Sequence, residues 1–262
     1  MSRLTPAFEA LRREGRPGLV TYVTGGDPDA RRSQEILLAI AAGGADVLEV
    51  GVPFSDPIAD GPEIQRATER ALAAGGHLAA SIDLVASVRE QITQPIVLFS
   101  YVNPVLQMGV EAFAARAGAA GVDGVLLLDL PIEESSAVRA TLDAHGIDQI
   151  FLISPTTSDD RLREAARLGR GFLYVISRLG VTGVRDLVSV SAEPLVKRVR
   201  AFSDLPVAVG FGLSRPEHLR EVAAYADAAV VGSALVHVIA AKANSSDVAG
   251  AAGRFVSWLK GG

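Results

Sequence analysis

The chain has 262 residues, 49% hydrophobic and 21% charged, with a formal net charge of −5. This length and apolar content suit one large domain or two small ones with a sizeable core, and exclude a chain too polar to fold. The acidic balance excludes nucleic-acid binding by bulk charge, and the lack of cysteine excludes disulfides, thiolate metal sites and a cysteine nucleophile.

The N-terminal residues through Glu9 carry no long apolar core and no cleavage-like site, so no signal peptide is expected. No uncharged apolar run reaches the roughly 18 residues of a membrane span. The expectation is a cytoplasmic protein with no membrane contact. Leu4–Glu14 reads as a terminal helix. Eight short apolar runs then read as strands: Leu19–Thr24, Asp46–Gly51, Pro95–Tyr101, Gly124–Asp129, Gln149–Ser154, Gly171–Ser177, Pro206–Phe211 and Ala228–Gly232. They are continuous rather than alternating, as strands buried on both faces are. Helical signals follow each. Asp27-Pro28 reads as an N-cap with proline at the first helical position, and Gly43-Gly44 closes that helix. Pro62 opens a helix that Gly75-Gly76 ends, and a further helix is expected near Ile82–Gln91. Ser214-Arg215-Pro216-Glu217 fits a capping box, and Val248–Leu259 reads as a second terminal helix.

Eight strand–helix units match an α/β architecture, the closed (β/α)8 (TIM) barrel, with an open doubly wound sheet as its rival. The count and regular spacing favour the barrel. No linker, low-complexity stretch or sequence repeat divides the chain, so a single domain over residues 1–262 is expected. The longest connections follow strands two and six and hold the loops Pro53–Gly61 and Arg178–Val190. Barrel active sites form at the C-terminal strand ends, where long loops carry function.

Glu49 lies inside the apolar run Val47–Gly51. A carboxylate there is costly unless it is paired or protonated, and a raised pKa would let it serve as acid and base near neutral pH. A structural Glu bonded to a neighbouring strand is the alternative. Asp60 is equally a turn or cap residue before Gly61-Pro62, but its loop leaves the strand of Glu49, so the two carboxyls can share a pocket. Asp129 could cap a helix or support the site; the supporting role is favoured. Tyr22, Phe99, Tyr101, Tyr174 and Phe211 sit near strand ends, where large side chains pack or touch ligand. Gly210-Phe211-Gly212 after strand seven, Gly232-Ser233 after strand eight and Gly180-Val181-Thr182-Gly183 after strand six are glycine turns. Barrels bind phosphate on such turns after strands seven and eight. The lysines, Lys197, Lys242 and Lys260, fall outside the strands, which argues against a Schiff base; His77, His145, His218 and His237 show no metal-ligand spacing. No metal site is expected. Carboxylate acid–base chemistry on a substrate that supplies its own electron sink remains, with a phosphosugar isomerase as the enzyme rival.

The segments Thr21–Pro28, Glu49–Pro62, Tyr101–Pro104, Asp129–Pro131, Gly180–Gly183, Gly210–Gly212 and Gly232-Ser233 resemble the alpha subunits of tryptophan synthase over nearly the whole chain. The stretch Pro53–Pro62 is the most specific. The resemblance implies cleavage of indole-3-glycerol phosphate to indole and glyceraldehyde 3-phosphate, with Glu49 and Asp60 as the catalytic carboxylates. It assigns Gly183, Gly210, Phe211, Gly212, Gly232 and Ser233 to the phosphate, counts Thr182 among the substrate contacts, and sets Tyr22, Ile64, Phe99 and Tyr174 around the indole. It implies no cofactor in this chain, a pyridoxal-phosphate beta subunit as partner in an alpha2-beta2 assembly, and a partner surface on Pro53, Phe54, Asp56 and Pro57. Arg178–Val190 would be a lid. Two residues depart from the family pattern: Tyr22 where Phe is usual, and Leu179 where a small polar residue is frequent. A free-standing lyase and a non-catalytic barrel that activates the beta subunit are the alternatives.

Overall fold

The computed structural model describes residues 2–176, 192–210 and 212–261. Eight parallel strands close on themselves in chain order: β1 Gly18–Thr24, β2 Val47–Gly51, β3 Ile96–Ser100, β4 Gly124–Leu127, β5 Asp148–Ile153, β6 Leu173–Ile176, β7 Val207–Gly210 and β8 Ala228–Val231. Pairing of β1 with both β2 and β8 completes the barrel. Among the described residues the helices are α1 Leu4–Glu14, α2 Ala30–Ala42, α3 Pro62–Ala73, α4 Leu78–Val88, α5 Val102–Met108, α6 Val110–Ala120, α7 Ser135–Ala144, α8 Asp159–Leu168, α9 Ala192–Arg200, α10 Pro216–Ala223, α11 Ser233–Ala241 and α12 Val248–Gly261. None of these is by itself long and apolar enough to cross a membrane.

Strand side chains divide by alternation. Leu48, Val50, Leu98, Val125, Phe151, Val175, Val209 and Val231 pack outward with the helices in one large core. Val20, Val47, Val97, Leu126, Ile150, Phe172, Ala208 and Ala228 pack inside the barrel. Leu4, Phe8 and Leu11 of α1 join this inner cluster, with the Phe8 and Phe172 rings 5.5 Å apart. The terminal helix therefore plugs the barrel floor.

A recurring device ties neighbouring strands at that floor. A small apolar residue and an aspartate precede β2, β4 and β8: Ala45-Asp46, Val122-Asp123 and Ala226-Asp227. Each aspartate accepts an N–H from the start of the preceding strand: Leu19 to Asp46 at 2.8 Å, Ile96 to Asp123 at 2.9 Å and Val207 to Asp227 at 2.8 Å. Cations hold the carboxylates: Arg16 and Lys260 on Asp46, Arg3 and Arg89 on Asp123, Arg200 on Asp227.

Three helix starts differ from the sequence expectation. Asp29, not Asp27, caps α2 and accepts the Arg32 N–H at 2.9 Å. Asp27 is buried and committed to Arg70 of α3 through two bonds of 2.8 Å. The capping box at Ser214 does not form: Arg215 occupies the N-cap, and the Ser214 N–H donates instead to His218 Nδ1 at 3.2 Å. The helix expected at Ile82–Gln91 starts earlier, because His77 Nδ1 accepts the Ala80 N–H at 3.2 Å and caps α4.

Candidate active site

Glu49 is the third residue of β2, opposite Tyr22 of β1 and Val97 of β3. It has no solvent exposure, and neither carboxyl oxygen has a hydrogen-bond partner among the described residues. Burial disfavours the anion and raises its pKa to about 8, so the group is a neutral acid at pH 7.

Asp60 arrives from the loop that follows. Its N–H donates to the Pro57 carbonyl at 3.0 Å, and Gln65 Nε2 of α3 donates to its own carbonyl at 2.8 Å. The Tyr101 hydroxyl receives the Ala59 N–H at 2.9 Å and donates to Asp60 Oδ2 at 3.3 Å. Burial raises the Asp60 pKa to about 6, against the opposing pull of the Tyr101 bond. Between these two values one carboxyl is an acid and the other an anion. Pairs of titratable groups split by their surroundings in this way divide acid and base roles.

Both groups line one cavity of about 350 Å³ at the C-terminal ends of the strands. Tyr22, Ile64, Phe99, Tyr174, Gly212, Gly232 and Ser233 line it too, so the structure brings these sequence-selected residues together. Tyr22 meets Phe99 edge-on, with centroids 5.6 Å apart at 81°. Two glycines make room for the tyrosines: a Cβ on Gly51 would lie 2.0 Å from the Tyr22 hydroxyl, and one on Gly210 would lie 2.6 Å from the Tyr174 hydroxyl. Gly210 itself is absent from the lining and ends β7 beneath Tyr174. Gly212, at φ +74°, turns the chain away after β7. Gly232 caps α11, and Ser233 and Ala234 begin it, so this helix points its N-terminal N–H groups toward the cavity, an arrangement that suits an anion. Leu179, Thr182, Gly183, Phe211 and the lid expected at Arg178–Val190 lie outside the described residues.

Leu128, Leu152, Ile176, Val230 and Leu213 also line the cavity and were not singled out from sequence. Leu128, Leu152 and Ile176 each follow an inward-facing residue by two positions (Leu126, Ile150 and Tyr174), so the strand period was the available signal. Asp129 lies beyond the end of β4 and accepts the Val102 N–H at 2.6 Å, at the start of α5. It thus anchors a helix that begins next to Tyr101, rather than the helix after its own strand.

The loop surface departs from its expectation. Pro53 is buried, its ring against the turn at Gly76, and Phe54 is half-buried on Tyr101, with centroids 5.1 Å apart. Pro57 is half-buried; Ser55, Asp56 and, at 83% exposure, Ile58 form the exposed side.

A family profile described as tryptophan synthase alpha chain matches residues 8–255. The tryptophan synthase alpha chain of Solibacter usitatus is 47% identical over 94% of this chain and 92% of its own length. That of Geobacter sulfurreducens is 50% identical over 90% and 89%. A crystal structure of tryptophan synthase subunit alpha from Legionella pneumophila superposes with a TM-score of 0.91 at 37% identity, covering 99% of this chain and 97% of that one. A chain in a structure of Mycobacterium tuberculosis tryptophan synthase gives 0.90 at 38% identity, covering 100% and 99%.

Proposed function

The chain belongs to the tryptophan synthase alpha chain family, and on that premise we propose that Glu49 and Asp60 carry out the family's carbon–carbon cleavage between them. The reaction is the lyase step of tryptophan biosynthesis, in which indole-3-glycerol phosphate gives indole and D-glyceraldehyde 3-phosphate. The observation that carries the assignment is the pair of carboxyls in one cavity with pKa values near 8 and near 6.

Glu49, neutral at pH 7, gives its proton to C3 of the indole. The ring becomes an indolenine-like cation, and the Asp60 carboxylate stabilises its N–H. Glu49, now the anion, takes the proton of the glycerol hydroxyl. The hydroxyl carbon becomes the aldehyde, and the electrons of the breaking C–C bond return to the ring. The proton lent is recovered, so Glu49 ends as it began. Tyr22, Ile64, Phe99 and Tyr174 hold the indole, while Gly212, Gly232 and Ser233 receive the phosphate on backbone N–H groups and the start of α11.

The partner belongs to the same proposal. The M. tuberculosis structure that this chain resembles is one of tryptophan synthase. For this chain we place a beta subunit, carrying pyridoxal phosphate, against the outer side of the Pro53–Gly61 loop in an alpha2-beta2 assembly. Exposed Asp56 and Ile58 support the surface. Indole release from indole-3-glycerol phosphate, measured with and without a beta subunit, tests both parts. Release by the wild type, its loss in Glu49→Gln and its acceleration by beta are the expected results. Full release by Glu49→Gln would overturn the catalytic assignment, and a rate indifferent to beta would overturn the assembly.

A further inference from the structure

His218 is a titratable side chain that the reaction above does not use. It lies on the first turn of α10, is 5% exposed, and accepts the Ser214 N–H on Nδ1 at 3.2 Å. Its own N–H donates to the Arg215 carbonyl at 3.1 Å. These two bonds fold the chain after Leu213 back onto the helix. The residues immediately before, Gly212 and Leu213, line the cavity, and Leu213 is buried. Among the described residues, the acceptor of the Ser214 N–H is thus a buried imidazole nitrogen. Nδ1 meets that N–H with its ring lone pair.

We infer that His218 is a positioning residue for the phosphate of the substrate: it accepts the Ser214 N–H and so holds the Gly212–Ser214 turn where its backbone meets the anion. This rests on the reading that the turns after β7 and β8 take the phosphate. The mechanism acts through one acceptor atom. An apolar side chain at 218 leaves the Ser214 N–H without a partner, and the turn relaxes toward another acceptor. A glutamine carbonyl oxygen can replace Nδ1. The interaction concerns a part of the substrate that does not react, so its loss weakens ground and transition states alike and appears in KM, not kcat.

The test compares wild type, His218→Leu, His218→Gln and Ser233→Asp. Readouts are steady-state cleavage of indole-3-glycerol phosphate, competitive inhibition by glycerol 3-phosphate, and hydrogen exchange at the Ser214 amide. His218→Leu is expected to raise KM and the inhibition constant by about 10-fold, as the loss of one buried hydrogen bond would. It leaves kcat unchanged and exposes the Ser214 amide to exchange. His218→Gln is expected to restore all three, which separates the role from general folding damage. Ser233→Asp places a charge at the start of α11 and is expected to abolish inhibition by glycerol 3-phosphate. If it does so while His218→Leu keeps the wild-type KM, or if His218→Leu lowers kcat alone, the inference is overturned. If inhibition survives Ser233→Asp, the phosphate reading falls and takes the inference with it.

Discussion

Among the described residues the buried Glu49 carboxyl has no hydrogen-bond partner, and burial of that kind favours the neutral acid. Its folded pKa of about 8 lies above the ordinary 4.5, so the folded protein holds this proton more tightly than the unfolded chain. Ionisation therefore adds no cost below about pH 4.5, and the cost of a buried anion grows from there until it is full above about pH 8. Glu49→Gln removes that cost. Its melting temperature should therefore exceed that of the wild type by a margin that widens from pH 4.5 to 8 and then levels; a constant margin would show that Glu49 is not buried as the acid. Activity should respond to the ionisation of both carboxyls. The kcat/KM profile should be bell-shaped, rising as Asp60 ionises near pH 6 and falling as Glu49 ionises near pH 8. Gly51 shows the steric side of the site. A methyl group there meets the Tyr22 hydroxyl at 2.0 Å, and Gly51→Ala should destabilise by about 1–3 kcal/mol in urea denaturation, as overpacking does.

Asp60 is aimed by elements rather than by its own strand. Asp129 beyond β4 fixes the start of α5, α5 begins next to Tyr101, and the Tyr101 hydroxyl accepts the Ala59 N–H and donates a hydrogen bond to Asp60 Oδ2. Since the Tyr101 bond holds the Asp60 pKa down, Tyr101→Phe should move the acid limb of kcat/KM upward from about pH 6 while leaving the basic limb near pH 8. An unmoved acid limb would mean that the limb does not belong to Asp60. The sequence made the eight strands legible, because continuous apolar runs bounded by glycine and proline are a local property. It also made Glu49 legible, as the one charge in the interior of such a run, where Asp46 and Asp129 stand at run ends. The Asp129 anchor was not legible: it joins residues 27 positions apart on two different strand–helix units. The same holds for Asp27, whose cap-like neighbourhood concealed a buried pairing with Arg70, and for Ser214, whose capping box yielded to His218. Local pattern states what a residue can do, whereas the partner that claims it is set by packing.

At the scale of the whole molecule the two ends of the barrel are built from different chemistry. The C-terminal end holds groups that the described residues leave unpaired or loosely held: Glu49, Asp60 on a single long tyrosine bond, and glycines that admit tyrosine hydroxyls. The N-terminal end is tied together: α1 fills the floor, and the three aspartates before β2, β4 and β8 each accept a strand N–H and pair with at least one cation. Unpaired buried groups at one end have to be offset by stabilising contacts elsewhere in the fold. The repeated Ala-Asp and Val-Asp pairs are what supply these at the floor, and their spacing follows the strands rather than a fixed period, so they do not read as a sequence repeat. Asp227→Ala should therefore separate stability from catalysis. It leaves the Val207 N–H without its acceptor and frees Arg200. Loss of this partly buried bond should cost about 1 kcal/mol, measured as a lower urea midpoint with an unchanged slope. Because the change lies at the opposite end of the barrel from the cavity, KM and kcat for indole-3-glycerol phosphate should stay at wild-type values under conditions where the variant is folded. A fall in kcat with no fall in stability would show that the floor tunes the site rather than merely supporting it.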